Sequence, residues 1–180
     1  ERVHFMKIGV LGAGNISHMV APAMVALEEI ECYAVASRDL GKAQAFADQF
    51  GFQKVYGSYE EMLRDPNVEL VYIATPHSHH YEHMMLALEH GKPIICEKSF
   101  TMNARQAEEI RRRAAQKGLY VAEAIWTRYM PSRKMIDDIL ASGIIGKPDT
   151  LTANLSYPNS HRPRLTDPYL AGGALLDVGV

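Results

Sequence analysis

The sequence predicts a doubly wound parallel α/β sheet of the Rossmann type, followed by the truncated start of a second domain. Three observations carry this. Strand-like and helical patterns alternate along most of the 180 residues. The strand-like runs are continuously apolar, as in strands covered on both faces, rather than alternating as in half-exposed ones. The first run ends in the turn Gly12-Ala13-Gly14 and leads into a helical pattern, the arrangement by which a βα unit presents backbone N–H groups to a dinucleotide pyrophosphate. The nucleotide-binding domain is expected over residues 1–125 and the opening of the second domain over 126–180.

In chain order, strand 7–11 feeds the helix 16–27, and strand 32–36 feeds the helix 41–50. A short strand at 54–56 precedes the helix 59–63. Strand 70–74 leads to the helix 79–90, strand 93–96 to the helix 104–117, and strand 120–124 to the helix 132–141. Asn103 and Ser58 are expected N-caps, the latter with Glu61 three residues on. Gly51, Gly91, Gly118 and Gly143 fall where left-handed C-caps are wanted. Near Gly146-Lys147-Pro148 the character changes: 150–157 alternates, 158–168 is loop-like, and the stretch from Gly172 to Asp177 starts a helical pattern in which the chain stops at Val180.

Composition narrows the function classes. A net charge of −2 gives no electrostatic case for nucleic acid or an anionic membrane. Arg111-Arg112-Arg113 reads as the solvated face of a helix. No apolar stretch approaches the roughly 20 residues of a membrane span, and the N-terminus lacks a signal-peptide core, so a cytoplasmic protein is expected. Met6 could be the natural start. Cys32 and Cys96 lie at predicted strands, where buried free thiols are expected.

The expected dinucleotide site begins with Gly12 for the tight turn and Gly14 for close approach of the backbone, with Asn15 and Ile16 opening the helix. Ser17 takes the third glycine position, where a small residue still permits close packing. The bland alternative is an ordinary βα turn. At the end of the second strand, Ser37 and Arg38 offer a hydroxyl and a guanidinium suited to a 2′-phosphate, and Lys42 adds charge one turn on. NADP is therefore the preferred cofactor. Asp39 keeps NAD open, because it could accept from a ribose hydroxyl.

Thr75, Pro76 and His77 follow the fourth strand and should face the cofactor, unless the proline merely stops the strand. His77, His79, His80 and His83 crowd the same junction, yet no zinc-helix pattern accompanies them and no metal is expected. One of them should line the site. Lys98 lies just after the fifth strand, where a partly desolvated lysine beside a cationic nicotinamide would have a lowered pKa and could exchange a proton with a substrate hydroxyl. Glu97 could hold it in place. A surface lysine is the alternative.

These residues together resemble the Gfo/Idh/MocA oxidoreductase family, whose members carry a Gly-x-Gly-x-x-small turn (Gly12 to Ser17), Ala-Thr-Pro followed by histidine (Ala74-Thr75-Pro76 and His80) and Glu-Lys-Pro (here Glu97-Lys98-Ser99). The stretch from Glu123 to Pro131, and that from Gly172 to Gly179, look like the branch containing dimeric dihydrodiol dehydrogenases and NADP-dependent D-xylose dehydrogenases. The resemblance implies that Lys98 is the main acid/base group and that Asp177 lines the substrate pocket. It also implies that Trp126 and Arg128 sit near the nicotinamide end, and that His80 and Glu97 belong to the cofactor-binding set. Two departures stand out. Ser99 replaces the family proline, leaving the backbone beside Lys98 less constrained. The His or Tyr that the family places four residues after the aspartate would be position 181.

The implied activity of the full protein is hydride transfer between a nicotinamide and a carbinol or carbonyl carbon of a sugar, polyol or cyclic diol. The implied second domain is an α+β substrate or dimerisation domain, and the implied assembly is a homodimer or higher homo-oligomer. The rival is a non-catalytic NADP-binding regulatory or redox-responsive protein.

Overall fold

The structure, a computed structural model, describes residues 5–158 and 161–179. The expected first residues 1–4, part of the loop-like stretch at 159–160 and Val180 lie outside them. The elements run β1 (Met6–Leu11), α1 (Asn15–Ala26), β2 (Ile30–Ala36), α2 (Leu40–Phe50), β3 (Lys54–Tyr56), α3 (Tyr59–Arg64), β4 (Leu70–Ile73), α4 (His80–Glu89), β5 (Ile94–Glu97), α5 (Ala104–Lys117), β6 (Val121–Ala124) and α6 (Pro131–Ser142). Two short helices follow, α7 (Pro163–Thr166) and α8 (Ala174–Val178).

All six strands are parallel, in the order β3-β2-β1-β4-β5-β6. The order reverses between β1 and β4, which opens a crevice outside their carboxyl ends. The period of two along β1 divides the core between the faces: Ile8 and Val10 join Met24, Phe46 and Tyr72, whereas Leu11 joins Met62, Met84, Leu88 and Ile110. Gly9 lets α3 and the loop after it pack closely on β1, since a Cβ there would lie 2.9 Å from Val68 Cγ1 and 3.1 Å from Met62 Cε.

The caps explain most boundaries. The Asn103 side chain accepts from the Gln106 amide at 3.0 Å, while Gln106 accepts from the Met102 amide at 3.1 Å. Gly51, Gly118 and Gly143 end their helices in the left-handed region, and Gly91 follows α4 with φ 71°. Ser58 differs from expectation, because its side chain makes no cap hydrogen bond. Glu60 and Glu61 in the first turn of α3 instead complement the helix dipole. Arg111, Arg112 and Arg113 are exposed on α5 and pair with Glu108 and Glu109, as a solvated face should.

The alternating stretch 150–157 forms no strand and is exposed. Alternation yields a strand only when a neighbour completes its hydrogen bonds, and no described strand pairs with it. Cys32 is half-buried, Cys96 is buried, and both are free thiols. Among the described residues, no helix is long and apolar enough to cross a membrane.

The amino edge of the sheet closes on one carboxylate. Asp65, at the end of α3, accepts from Tyr56 Oη at 2.6 Å, Tyr33 Oη at 2.9 Å and Lys54 Nζ at 3.3 Å. It also accepts from the Asn67 backbone amide at 2.9 Å and side-chain amide at 3.0 Å. Lys92 donates to the carbonyls of Asp65 and Val68 at 2.7 and 2.8 Å, closing the same corner. Burial would push the Asp65 carboxyl up, but the hydrogen bonds from Tyr56, Asn67 and Tyr33 outweigh it and hold it well below the usual carboxylate range.

Candidate active site

The β1 turn is built around Gly12, whose φ of 99° lies in the region that favours glycine. A Cβ there would meet the Ala74 carbonyl oxygen at 3.1 Å and Thr75 Cγ2 at 3.2 Å, so the turn can sit against the end of β4 only without a side chain. Ser17, at the third glycine position, is buried and donates its hydroxyl to the Gly12 carbonyl. It therefore fastens the turn in addition to fitting beside it. Gly14 is the N-cap of α1, with no side-chain cap bond and nothing within 4 Å of the direction a Cβ would take. The exposed Asn15 and half-buried Ile16 begin the helix, and no acidic residue occupies the first turn. Open space before uncapped N–H groups, free of negative charge, fits a pyrophosphate.

At the end of β2, Ser37 is buried, donates its amide to the Tyr56 carbonyl at 3.1 Å, and accepts from the Asp39 amide at 3.2 Å. Arg38 is exposed and lies near Tyr59. It lines a groove of about 660 Å³ with Ser58, Tyr59, Tyr81 and His83. Asp39, which kept NAD open, is engaged locally: its carboxylate caps α2 by accepting from the Lys42 amide at 3.1 Å, and Lys42 Nζ stands 3.9 Å from it.

The fourth strand delivers Thr75, whose buried hydroxyl lies 2.9 Å from His83 Nδ1. Pro76 is exposed, and His77 opens a 3-10 turn (His77–His79) that leads into α4. His80, expected at the cofactor, has 0 % exposure. Its ring reaches the Ser99 carbonyl from Nδ1 at 2.7 Å and the Thr75 carbonyl from Nε2 at 2.8 Å, so it packs beneath both loops and cannot itself touch a ligand there. His83 is also buried, and burial, followed by the charges of His79, His80 and Arg38, pushes it down to about 4. Among the described residues, no three His, Cys, Asp or Glu side chains gather as a metal site.

The fifth strand ends at Glu97, next to Lys98, the residue expected to react. Glu97 is buried, accepting the Tyr72 hydroxyl on one oxygen and the Lys98 amide at 3.2 Å on the other. Burial raises its carboxyl above the ordinary value of 4.5 despite these bonds. It acts on the backbone at Lys98, whereas the Lys98 side chain turns to α8. There Nζ lies 3.3 Å from Asp177 Oδ1 and bonds the Asp177 carbonyl, the two side chains being 24 % and 12 % exposed. The Lys98–Ser99 peptide is cis. Ser99 donates its hydroxyl to the Leu176 carbonyl, and the Phe100 amide donates to Glu123 at 2.7 Å, which fixes the loop to α8 and β6.

Trp126 and Arg128 lie in the 3-10 turn (Trp126–Tyr129) beyond the carboxyl end of β6, both exposed. They follow the strand that pairs with β5. Sequence reasoning missed Tyr72, which reads as a core aromatic within β4, and the only signal for it was a hydroxyl in an otherwise apolar strand.

Residues 6–124 match the sequence profile of the Gfo/Idh/MocA group, an oxidoreductase family with an NAD-binding Rossmann fold. The chain is 40% identical to trans-1,2-dihydrobenzene-1,2-diol dehydrogenase of Mus musculus, the match covering 97% of this chain and 53% of the relative. It is likewise 40% identical to D-xylose 1-dehydrogenase (NADP(+)) of Hypocrea jecorina, over 97% of this chain and 50% of that protein. Among solved structures, KijD10, a 3-ketoreductase from Actinomadura kijaniata in complex with NADP and TDP-benzene, superposes with a TM-score of 0.81 at 29% identity, covering 98% of this chain and 55% of that one. The chain thus spans about half the length of the curated relatives it matches.

Proposed function

The chain belongs to the Gfo/Idh/MocA oxidoreductase family, and from that premise we propose that it is the cofactor-binding part of an NADP-preferring dehydrogenase acting on the CH–OH group of a sugar, polyol or cyclic diol. The observation that carries this reading is the meeting of Lys98 and Asp177 at the carboxyl edge, at 3.3 Å, beside the crevice where the strand order reverses. The names of the dihydrodiol, D-xylose and 3-ketoreductase relatives support the substrate class.

The backbone of Gly14, Asn15 and Ile16 would hold the pyrophosphate, Ser37, Arg38 and Lys42 the 2′-phosphate, and the Thr75-Pro76-His77 loop and Glu97 the nicotinamide half. Trp126 and Arg128 would border the nicotinamide end from beyond β6. When bound, the nicotinamide supplies hydride acceptance or donation at its C4 carbon. Lys98 exchanges the proton of the substrate hydroxyl through Nζ. Asp177 orients both the lysine and the substrate, since a carboxylate at this distance accepts from an ammonium and leaves lone pairs for a hydroxyl. The remainder of the substrate pocket, and assembly into a homodimer or higher homo-oligomer, belong to the full-length protein. A reducing cytoplasm fits the two free cysteines.

Parallel titration with NADPH and NADH tests the cofactor reading. NADPH should bind more tightly, and Arg38→Ala should shrink the preference about 10- to 100-fold, the range for a hydrogen bond between charged groups. An unchanged ratio defeats the assignment. In the full-length protein, Lys98→Ala should lower kcat about 10²- to 10⁴-fold at unchanged NADPH affinity. Cofactor binding without turnover of any diol or pentose would instead make it an NADP-binding regulatory protein.

A further inference from the structure

We infer that His80 is a positioning residue for Lys98, whose buried imidazole ties the loop after β5 to the loop after β4 and does so fully only when both ring nitrogens carry protons. The inference rests on the Lys98 reading above for its consequence, but not for the tie itself.

The geometry is specific. His80 is 0 % exposed, so water cannot satisfy either ring nitrogen. Both neighbours are carbonyl oxygens, Ser99 at 2.7 Å from Nδ1 and Thr75 at 2.8 Å from Nε2, and both distances are those of hydrogen bonds. A carbonyl only accepts, and a neutral imidazole has one N–H. The neutral ring can therefore serve one loop at a time and leaves a lone pair facing the other carbonyl, whereas the imidazolium serves both. The Ser99 carbonyl follows Lys98 by one residue, and the Ser99 hydroxyl and Phe100 amide already hold that loop on its other sides. His80 is the inward hold, and losing it frees the backbone that aims Nζ at Asp177.

The groups around the ring set the direction of the switch. The 3-10 turn contributes His77, with ring centroids 5.6 Å apart, and His79; α4 contributes His83; at the β5 end the Glu97 and Lys98 side chains are engaged by Tyr72 and Asp177. Burial lowers the ring's pKa below its ordinary value, the Ser99 and Thr75 carbonyls raise it, and His79 lowers it further. Full tying is thus an acid-side state, and the Lys98 loop loosens as pH rises.

The test uses the full-length protein with ¹⁵N-histidine labelling, His80 being assigned through the loss of its signals in His80→Asn. On lowering the pH from about 8 to the acid limit of the folded state, the His80 ring should pass from one N–H to two, and amide exchange at Ser99 and Phe100 should slow in step. A ring that keeps one N–H throughout, or loop exchange that ignores its titration, overturns the inference. Two variants then separate positioning from mere packing. In His80→Asn the amide nitrogen falls near Nδ1 and keeps the Ser99 bond, whereas in His80→Gln it falls near Nε2 and keeps only the Thr75 bond. Turnover by His80→Asn should exceed that of His80→Gln about three- to tenfold, with the wild-type pH dependence lost in both, the range expected of one hydrogen bond. Equal losses with the pH profile retained overturn the positioning role. A wild-type protein that shows the ring titration but no NADPH turnover refutes the proposed activity and leaves the tie intact.

Discussion

The two edges of the sheet each bury one carboxyl, and they treat it in opposite ways. At the amino edge, Asp65 is surrounded by the hydroxyls of Tyr33 and Tyr56, both amides of Asn67 and the Lys54 ammonium, and is held below its ordinary range. At the carboxyl edge, Glu97 receives one hydroxyl and one backbone amide, and burial raises it. The first carboxylate stitches α3, β2 and β3 together and is given every donor it can use. The second sits where a ligand is expected and is left short of partners. A buried charge supplied with donors fixes structure, and one left short is available for chemistry.

The largest test of this contrast is Asp65→Ala. It removes the acceptor from several buried donors at once and should destabilise the fold by about 3–5 kcal/mol, the cost of breaking a buried charge network. Chemical denaturation measures this, and NADPH affinity per folded molecule should not move. A loss below about 1 kcal/mol would mean that water replaces the carboxylate and the contrast fails. Tyr56→Phe removes a single donor, at 2.6 Å, and should cost about 1.5 kcal/mol.

Glu97→Gln should have the smallest effect on stability, near zero, with a distinctive pH signature. A carboxyl raised in the folded state binds its proton more tightly there than in the unfolded chain. Its contribution to stability is present below the ordinary 4.5 and is lost as pH rises from 4.5 through the folded value. Asp65 behaves oppositely, its contribution being present above the ordinary 3.8 and lost as pH falls below that towards the folded value. Glu97→Gln should therefore flatten the stability curve on the alkaline side of 4.5, and Asp65→Asn on the acid side of 3.8. Identical curves for the two variants would erase the distinction between the edges.

The strands, the helices and the Gly12 turn could be read along the chain, because each is fixed by residues only a few positions apart. Apolar runs mark buried strands, Asn103 and Gly51 mark helix ends, and the Gly12–Ser17 spacing marks the turn. Where a local signal had two outlets, the structure took the other. Asp39 caps α2, Ser58 makes no cap bond, and 150–157 lacks the neighbour its alternation requires.

The sequence by itself determined the α/β alternation, the parallel sheet and the places where glycine had to stand. It also marked Lys98 as a lysine at a strand end. Only the tertiary structure decided what each polar group would meet: Tyr72 with Glu97, 25 residues apart; His80 with the Ser99 carbonyl, 19 apart; and Lys98 with Asp177, 79 apart. The reason is physical. Backbone geometry and capping act within a turn or two and leave a periodic trace in the residues. The proton affinity of a side chain depends on how much water is excluded and which dipoles arrive, and distant segments deliver both without any periodicity along the chain.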